Sequence, residues 1–470
     1  MKYEYIENWN MSKLAIVGAI FIVVFGVVLF LISKFEKLEK TQTAKRVGII
    51  AFIALLGIGL VARLTFALAP LAHDDVLTFF IPWTRTLMEK PLTDFYFLDG
   101  NVSSIDYFHD YTPLYMYVLS FIGFLAKTFN FSPDTMVYAQ KLPSILCDLI
   151  ATIFVFKIAK HFSGKDFYSY AIALFYFLCP AVIVDSAIWG QVDGITSMFF
   201  IIVFYFMVMD KDTFAIFFSI VGMCFKLQFI FVAPAIGIFY LFKWFKVKGS
   251  FKEAMFGLAY GILFFIVVNL PFTYKIVFSG NIFFPLKIYF QQVGNYLYYT
   301  LNAFNLYGAM DLNFIELENT LLNSVINAAA VVVPCLLSVG YFAKKRDIQS
   351  VPILAAFVIC FVFTFSFKMH ERYMFGAIIA LMILLAKKFD ILLFISISLL
   401  SFTVLLNIGG IMIMPAQTFN YNDPRMVYGG ILELIAFGVF MIYMVVTFFE
   451  KNEAKIVEEI ENIAVEECES

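Results

Sequence analysis

The chain has 470 residues, of which 62% are hydrophobic, 19% are aromatic and only 14% are charged. A soluble domain is about 45–50% apolar and about 25% charged, so this composition excludes a water-soluble protein, a disordered chain and a disulfide scaffold. The formal net charge is −2, which creates no basic field, and we expect no nucleic-acid partner. Long apolar stretches recur along the chain and predict an all-α, polytopic membrane protein.

The first apolar run, residues 14–33, would be about 30 Å long as a helix, which matches one bilayer core. Twelve further runs give about 13 predicted transmembrane helices. They lie near residues 47–69, 136–158, 167–187, 194–209, 213–225, 229–242, 254–270, 320–342, 351–366, 373–386, 390–407 and 428–448. Another apolar run covers residues 114–126.

Clusters of lysine and arginine predict which loops face the cytoplasm. Five loops are clearly basic: 34–46, 157–165, 243–252, 344–346 and 387–388. If all five are cytoplasmic, the N-terminus lies outside and the C-terminus inside. A full crossing at 114–126 would break this pattern, so we interpret that run as a re-entrant or interfacial helix. We therefore predict a multi-pass plasma (cell) membrane protein.

The same topology predicts two long outer loops, at about 70–112 and 271–318. Long loops without a fold of their own are usually functional, so a covered site is expected at the outer face. The predicted division of the chain is an N-terminal anchor helix with a basic loop (1–46), a catalytic membrane module (47–250), a second membrane module (251–450) and an acidic cytoplasmic tail (451–470).

Two adjacent carboxylates, Asp74 and Asp75, directly follow the second apolar run. Like charges side by side raise the pKa of one carboxyl group, which suits a general base. Phe79 and Trp83 are four residues apart and favour a helix at the interface. The alternative is a solvated loop with an aromatic belt.

Polar and aromatic residues cluster in three other outer segments. They are Asp110 and Tyr111; Trp189, Gln191 and Asp193; and Asn302 and Asn305. The first pair could instead belong to an aromatic belt, and the two asparagines could instead form a capping or turn pair. A turn requires only glycine or asparagine, so the presence of Trp189, Gln191 and Asp193 together indicates more than a turn.

Cations are scarce on the predicted outer face, which makes the segment from Lys368 to Arg372 unusual. A helix would bring Lys368 and Arg372 onto one side, and with His370 nearby they would form an anion site suited to phosphate. Lys226 is a further cation at a neighbouring outer edge. The alternative is a belt of snorkelling side chains that pair through Glu371.

Charged residues within the predicted spans include Arg63, Lys141 and Asp148. Lys141 and Asp148 are seven residues apart on one helical face, which favours an intrahelical pair. Arg63 could snorkel to the outer interface or point into a cavity.

At these positions the sequence resembles the GT-C superfamily of integral-membrane glycosyltransferases, in particular bacterial proteins related to the second GPI mannosyltransferase and to the glucosyltransferases of N-glycan assembly. The resemblance covers about residues 47–390. Its landmarks are Asp75 with Phe79 and Trp83, Asp110-Tyr111-Thr112-Pro113, Trp189-Gly190-Gln191-Val192-Asp193, Lys226-Leu227-Gln228, Asn302-Ala303-Phe304-Asn305-Leu306 and Lys368-Met369-His370-Glu371-Arg372-Tyr373. Thr112 departs from the family, whose members often carry proline there.

The resemblance implies an inverting enzyme that moves a hexose, mannose being one candidate, from a polyprenyl-phosphate donor to a glycan or lipid-linked acceptor. Asp75 would be the catalytic base, with Asp74 the adjacent alternative. Lys226, Lys368, His370 and Arg372 would hold the lipid phosphate, and Asp110, Tyr111, Trp189, Gln191, Asp193, Asn302 and Asn305 would bind sugar or acceptor. No cofactor is certain, and a divalent cation at Asp74, Asp75 and Asp193 is left open.

Three alternatives have different expected signatures. A flippase or transporter would place charges near the midplane and often carries inverted repeats, whereas the charges here gather at one edge. A polysaccharide polymerase or ligase would also use outer loops and lipid-linked glycans. A structural membrane scaffold would have no need of the Lys368–Arg372 cluster.

Overall fold

The computed structural model describes residues 10–34, 41–68, 73–96, 111–290, 296–414, 418–420 and 422–450. Within these ranges the chain is α-helical except for one short two-stranded sheet and its connections, which confirms the predicted all-α class. Asp110 and the predicted tail 451–470 lie outside the described residues.

The described residues form the following α-helices. They are α1 (Met11–Lys34), α2 (Gln42–Leu68), α3 (Ile81–Glu89), α4 (Pro113–Phe129), α5 (Pro133–Ser163), α6 (Asp166–Phe177), α7 (Pro180–Ile183), α8 (Asp193–Val208), α9 (Asp212–Phe225), α10 (Ala233–Trp244), α11 (Ser250–Val277), α12 (Phe284–Phe290), α13 (Leu306–Ala309), α14 (Leu321–Lys345), α15 (Ser350–Phe365), α16 (Phe375–Leu384), α17 (Ile391–Met412) and α18 (Pro424–Phe449). Two π-helical segments (Asp75–Phe80 and Val184–Trp189) and two 3₁₀ turns (Leu92–Asp94 and Leu227–Phe231) complete the helical structure.

Every predicted apolar run coincides with helix, which makes the chain a multi-pass membrane protein. Among the described residues, seven helices are long and apolar enough to cross a bilayer, and one bent pair could form an eighth span. The seven are α1, α2, α5, α11, α14, α17 and α18. Several other helices are shorter than a bilayer core requires, so the count of about 13, the re-entrant or interfacial position of α4 and the division into modules stay predictions.

The run at 167–187 is not one straight helix. It breaks after α6, and the axis bends by 47° before α7 continues it. Pro180 begins α7 because proline has no backbone N–H and its ring excludes the preceding helical turn. The second half continues as the π-helical segment Val184–Trp189 and ends at Gly190, whose φ of 85° favours glycine. The bend sets the direction in which Trp189 and the residues after it leave the bundle.

The expected pair between Lys141 and Asp148 is wrong. Seven residues are about two turns of helix, or about 10 Å, which is too long for a direct contact. Asp148 instead accepts a hydrogen bond from Arg63 Nε at 3.2 Å and from Ser186 Oγ at 2.6 Å. The Arg63 guanidinium also lies 3.9 Å from the centre of the Phe177 ring. This buried network ties α2, α5, α6 and the second π-helical segment together.

The small sheet connects two distant loops. β1 (Thr300–Leu301) pairs in parallel with β2 (Met369–His370), with Thr300 opposite Met369 and Leu301 opposite His370. The expected helix from Lys368 to Arg372 is therefore wrong, because the segment is a two-residue strand between a left-handed residue, Lys368, with φ of 64°, and a turn that contains Arg372. The two cationic side chains do not share a helical face.

Candidate functional site

Four segments far apart in sequence converge on one charged cluster. They are the first π-helical segment with His73, the turn after Trp189, the segment after α9 and the loop from Ser366 to Met374. All four were predicted to lie on the outer face. Segments on one face of the membrane can lie close together, and these four do. Which side of the membrane they occupy stays a prediction.

Asp75 lies at the centre of this cluster, with 19% of its side chain exposed. His73 Nδ1 is 3.5 Å from Asp75 Oδ1, and Arg372 Nη2 is 3.6 Å from Oδ2. The Gln191 amide donates a hydrogen bond to Oδ2. Asp74, the neighbouring carboxylate, is exposed. The structure therefore separates the two candidate bases, and Asp75 is the one that contacts His73, Gln191 and Arg372.

The expectation that one of the two adjacent carboxyl groups has a raised pKa does not hold for Asp75. Burial of Asp75 favours its protonated form, but His73 and Arg372 outweigh burial and hold the Asp75 pKa well below its usual range. The Asp74 side chain is exposed, so solvent screens its charge. Asp75 is consequently an ionised carboxylate at every physiological pH.

Gln191 fixes Asp75 rather than facing open space. Its Oε1 accepts hydrogen bonds from Tyr111 Oη at 3.1 Å and from the Val192 backbone N–H at 3.0 Å. Because two donors point at Oε1, the amide has one orientation, and its Nε2 must face Asp75. Gln191 is fully buried, so the structure favours a positioning role over the expected contact with sugar.

Gln191→Ala is expected to lower kcat for the proposed transfer by about 10- to 100-fold through lost positioning of Asp75. The lost hydrogen bond stabilised the ionised form and fixed the direction of the carboxylate, so both are weakened in the variant. Tyr111→Phe is the matched control, because Val192 still orients the amide, and its loss of kcat should be smaller. Equal kcat values for Gln191→Ala and wild type, measured in single-turnover transfer, would contradict this role.

Trp189 is fully buried between two other site residues. The His73 ring stacks on it with centroids 3.9 Å apart and planes at 26°, and the Arg372 guanidinium lies 5.4 Å from its ring centre. Because the indole has no exposed surface, it contacts His73 and Arg372 and offers no open face to a sugar in this structure.

Asp193 and Lys226 form a close ion pair. Lys226 Nζ is 2.7 Å from Asp193 Oδ1, and both residues are buried. Asp193 begins α8, where a carboxylate also gains from the helix dipole. Its second oxygen, Oδ2, is 3.5 Å from Arg372 Nε, beyond a good hydrogen bond. The charge of Lys226 is therefore already compensated in this structure.

Arg372 is surrounded by carboxylates. Its Nη1 makes a close contact of 2.5 Å with Glu371 Oε1, whereas its contacts with Asp75 and Asp193 are 1 Å or more longer. Burial disfavours its charge, but Asp75 and Glu371 outweigh burial and keep the Arg372 pKa well above its usual value. Arg372 is a permanent cation with one strongly held edge and one loosely held edge.

His370 carries no charge near neutral pH. Burial, followed by the nearby Arg372 charge, lowers its pKa to about 3. A neutral imidazole can donate one hydrogen bond to an anion but cannot supply a charge. The positive charges of the predicted anion site therefore come from lysine and arginine alone.

These cationic residues line a cavity of about 350 Å³. Its polar lining includes Lys226, Lys368, His370, Arg372, Tyr111 and Gln228. Its apolar lining includes Ile230, Phe231, Phe290, Val331 and Val362. Among the described residues no acidic group lies within 4 Å of Lys368, so this lysine presents an uncompensated charge to the cavity.

The structure does not bring Asn302 and Asn305 onto one helical face. Asn302 has φ of 59°, and its Oδ1 accepts hydrogen bonds from Phe419 N at 3.0 Å and Thr418 Oγ1 at 2.9 Å. Asn305 caps α13 by accepting a hydrogen bond from Gly308 N at 3.0 Å. Both side chains serve the fold, which favours the capping alternative.

Two partners in the site had no assigned role in the sequence analysis. His73 directly precedes the two aspartates, so its neighbourhood was visible in the sequence. Its stacking on Trp189, 116 residues away, was not. Glu371 was considered only as a surface partner of the lysine and arginine, whereas it is buried and anchors Arg372.

A divalent cation at Asp74, Asp75 and Asp193 was left open by the sequence. Among the described residues, no group of three or more histidine, cysteine, aspartate or glutamate side chains is arranged to hold a metal ion. Asp75 and Asp193 instead face Arg372 and Lys226, and Asp74 is exposed.

Comparisons with known proteins include a distant structural likeness. No family model matches the sequence, and no curated protein matches it. Among solved structures, the chain is similar to a crystal structure of ArnT from Cupriavidus metallidurans bound to undecaprenyl phosphate, with 13% identity, coverage of 85% of this chain and 76% of that chain, and a TM-score of 0.45. A likeness at this level carries no argument about activity.

Proposed function

We propose that this protein is an inverting membrane glycosyltransferase of the GT-C type, which moves a hexose from a polyprenyl-phosphate donor to an acceptor hydroxyl at the outer face of the membrane. The observation that carries the proposal is a cavity where a lysine without an acidic partner in the described structure, a second cation and apolar helix surfaces meet beside a partly buried carboxylate. Phosphate attached to a long hydrocarbon chain needs this combination of linings.

The cationic part of the cavity suits a phosphate diester. Lys368 supplies a charge without an acidic partner in the described structure, Arg372 supplies a planar donor edge, and neutral His370 can donate one hydrogen bond. The apolar part lies along α14 and α15, which suits the first isoprene units of a lipid chain. A soluble nucleotide-sugar would gain nothing from Val331 and Val362.

The chemical step follows from the ionised state of Asp75. Its carboxylate accepts the proton of the acceptor hydroxyl while that oxygen forms a bond to the anomeric carbon. The bond between the anomeric carbon and the phosphate oxygen breaks, and its electron pair leaves on the phosphate. The products are the glycosylated acceptor, with inverted configuration, and polyprenyl phosphate. Lys368 and Arg372 stabilise the charge that develops on the leaving phosphate.

The test uses purified protein in nanodiscs with a panel of radiolabelled polyprenyl-phosphate sugars. Wild type should turn over one donor, releasing or transferring its sugar, and Asp75→Asn should not. Turnover of no donor, together with tight binding of an intact lipid-linked glycan, would instead support a flippase, a polymerase or a ligase. The panel also identifies the sugar.

Lys368→Gln is expected to weaken binding of undecaprenyl phosphate about tenfold, since it removes one charge-assisted contact. Lys287→Gln is the matched control, because Lys287 is an exposed lysine of α12 that does not line the cavity. Equal affinities of both variants, measured by titration in nanodiscs, would remove Lys368 from the phosphate site.

A further inference from the structure

We propose that the contact between Arg372 and Asp75 is a latch, which the phosphate of the donor opens so that the base becomes free only when the donor is bound. This inference rests on the proposed function and adds a rule for its regulation. The donor must bind before the acceptor hydroxyl can be activated.

The first observation behind the latch is that Arg372 contacts one carboxylate closely and two others only at longer distances. Its Nη1 is fixed by Glu371 at 2.5 Å, but its contacts with Asp75 Oδ2 and Asp193 Oδ2 are 3.6 and 3.5 Å. Arg372 Nε and Asp193 Oδ2 are both buried without a hydrogen-bond partner among the described residues. One edge of the guanidinium is therefore anchored, and the other holds donor capacity that no described acceptor uses.

Arg372 also lies where a ligand in the cavity can meet its guanidinium group. Arg372 lines the cavity together with Lys368 and His370. A phosphate drawn in by Lys368 would meet the guanidinium and could accept two hydrogen bonds from it, a stronger arrangement than the present 3.6 Å contact with Asp75. Phosphate and Asp75 would thus compete for the same donors.

Competition for one cation has a thermodynamic consequence. If Asp75 weakens phosphate binding by a given factor, bound phosphate weakens the Asp75–Arg372 contact by the same factor. The groups that face Asp75 are His73 from the preceding turn, Gln191 from the turn before α8, and His370 and Arg372 from the loop after α15. With Arg372 turned to phosphate, Asp75 keeps Gln191 and His73 and becomes a stronger base.

The other cations of the cavity do not provide such a latch. Lys226 is already paired with Asp193 at 2.7 Å, and Lys368 has no acidic partner to release in the described structure. Arg372 is the described cation that touches both the candidate base and the cavity.

The experiment measures the affinity of the intact protein in nanodiscs for undecaprenyl phosphate, without an acceptor. Asp75→Asn should bind the phosphate about 5- to 10-fold more tightly than wild type, because the competitor for Arg372 is gone. In an Arg372→Gln background the same substitution should change affinity by less than about twofold. Glu89→Gln, which removes an exposed negative charge on α3, should leave affinity unchanged.

The outcomes separate the latch from the proposed function. Unchanged affinity of Asp75→Asn would overturn the latch and leave the transferase proposal standing. Equal tightening in both backgrounds would also overturn it, because a long-range charge effect would then explain the result. No binding by wild type would overturn the transferase proposal and the latch together. A misfolded variant would bind more weakly, which is opposite to the expected result.

Discussion

Asp75→Asn is expected to lower kcat for sugar transfer by about 10²- to 10⁴-fold, the contribution that a general base usually makes. Asparagine keeps the shape of the side chain and the contact with Gln191 but cannot accept the proton of the acceptor hydroxyl. The measurement is single-turnover transfer from the active polyprenyl-phosphate sugar, because it separates the chemical step from product release.

Asp74→Asn distinguishes the two candidate bases. Asp74 is exposed, so this variant should lose less than about tenfold in kcat. Glu89→Gln controls for the loss of one exposed negative charge nearby. If Asp74→Asn were the inactive variant and Asp75→Asn retained more than about a tenth of wild-type activity, the base would be Asp74.

Arg63→Met is expected to destabilise the protein by about 3–5 kcal/mol, because it leaves the Asp148 carboxylate buried without its cation. Neither side chain of this pair is exposed, and the Asp148 oxygens face α2, α6 and the second π-helical segment. Thermal unfolding in detergent measures the loss. Activity should fall with stability, since this network supports the segment that ends at Trp189.

The double variant Arg63→Met with Asp148→Leu tests the cause. Replacing both charges by apolar groups removes the uncompensated carboxylate and should recover most of the lost stability. If the double variant is as unstable as Arg63→Met alone, the arginine acts through its packing on Phe177 instead.

The charged residues differ in how far local sequence could predict their partners. Lys226 and Asp193 were each recognised as unusual on the outer face, but they are 33 residues apart and their ion pair depends on how α8 and α9 pack. The adjacent aspartates predicted a raised pKa for one of the two carboxyl groups, but the Asp75 pKa is lowered, because the folded chain places His73 and the distant Arg372 beside it. A pKa depends on the charges that tertiary structure brings close, whatever their separation along the chain.

The conformation of the segment from Lys368 to Arg372 also depends on a partner distant in sequence. A spacing of four residues favours one helical face, but the pairing of Met369 and His370 with Thr300 and Leu301 overrides that preference. The strand that pairs with this segment lies about 70 residues earlier in the chain, and no local sequence pattern predicts that pairing. The side chains still reach one cavity, by a different route.

The sequence by itself determined that this is an all-α, multi-pass membrane protein and which segments are helical, because the apolar runs must satisfy their backbone hydrogen bonds internally in lipid. It also singled out the charged residues that the structure brings together in one cluster, because a charge near a bilayer costs free energy and is therefore rare in such a sequence. Only the tertiary structure decided their roles: Gln191 and Trp189 support the site, Asn305 caps a helix, and Arg372 faces both Asp75 and the cavity. These roles depend on contacts between helices distant in sequence, and such contacts are fixed by packing rather than by local pattern.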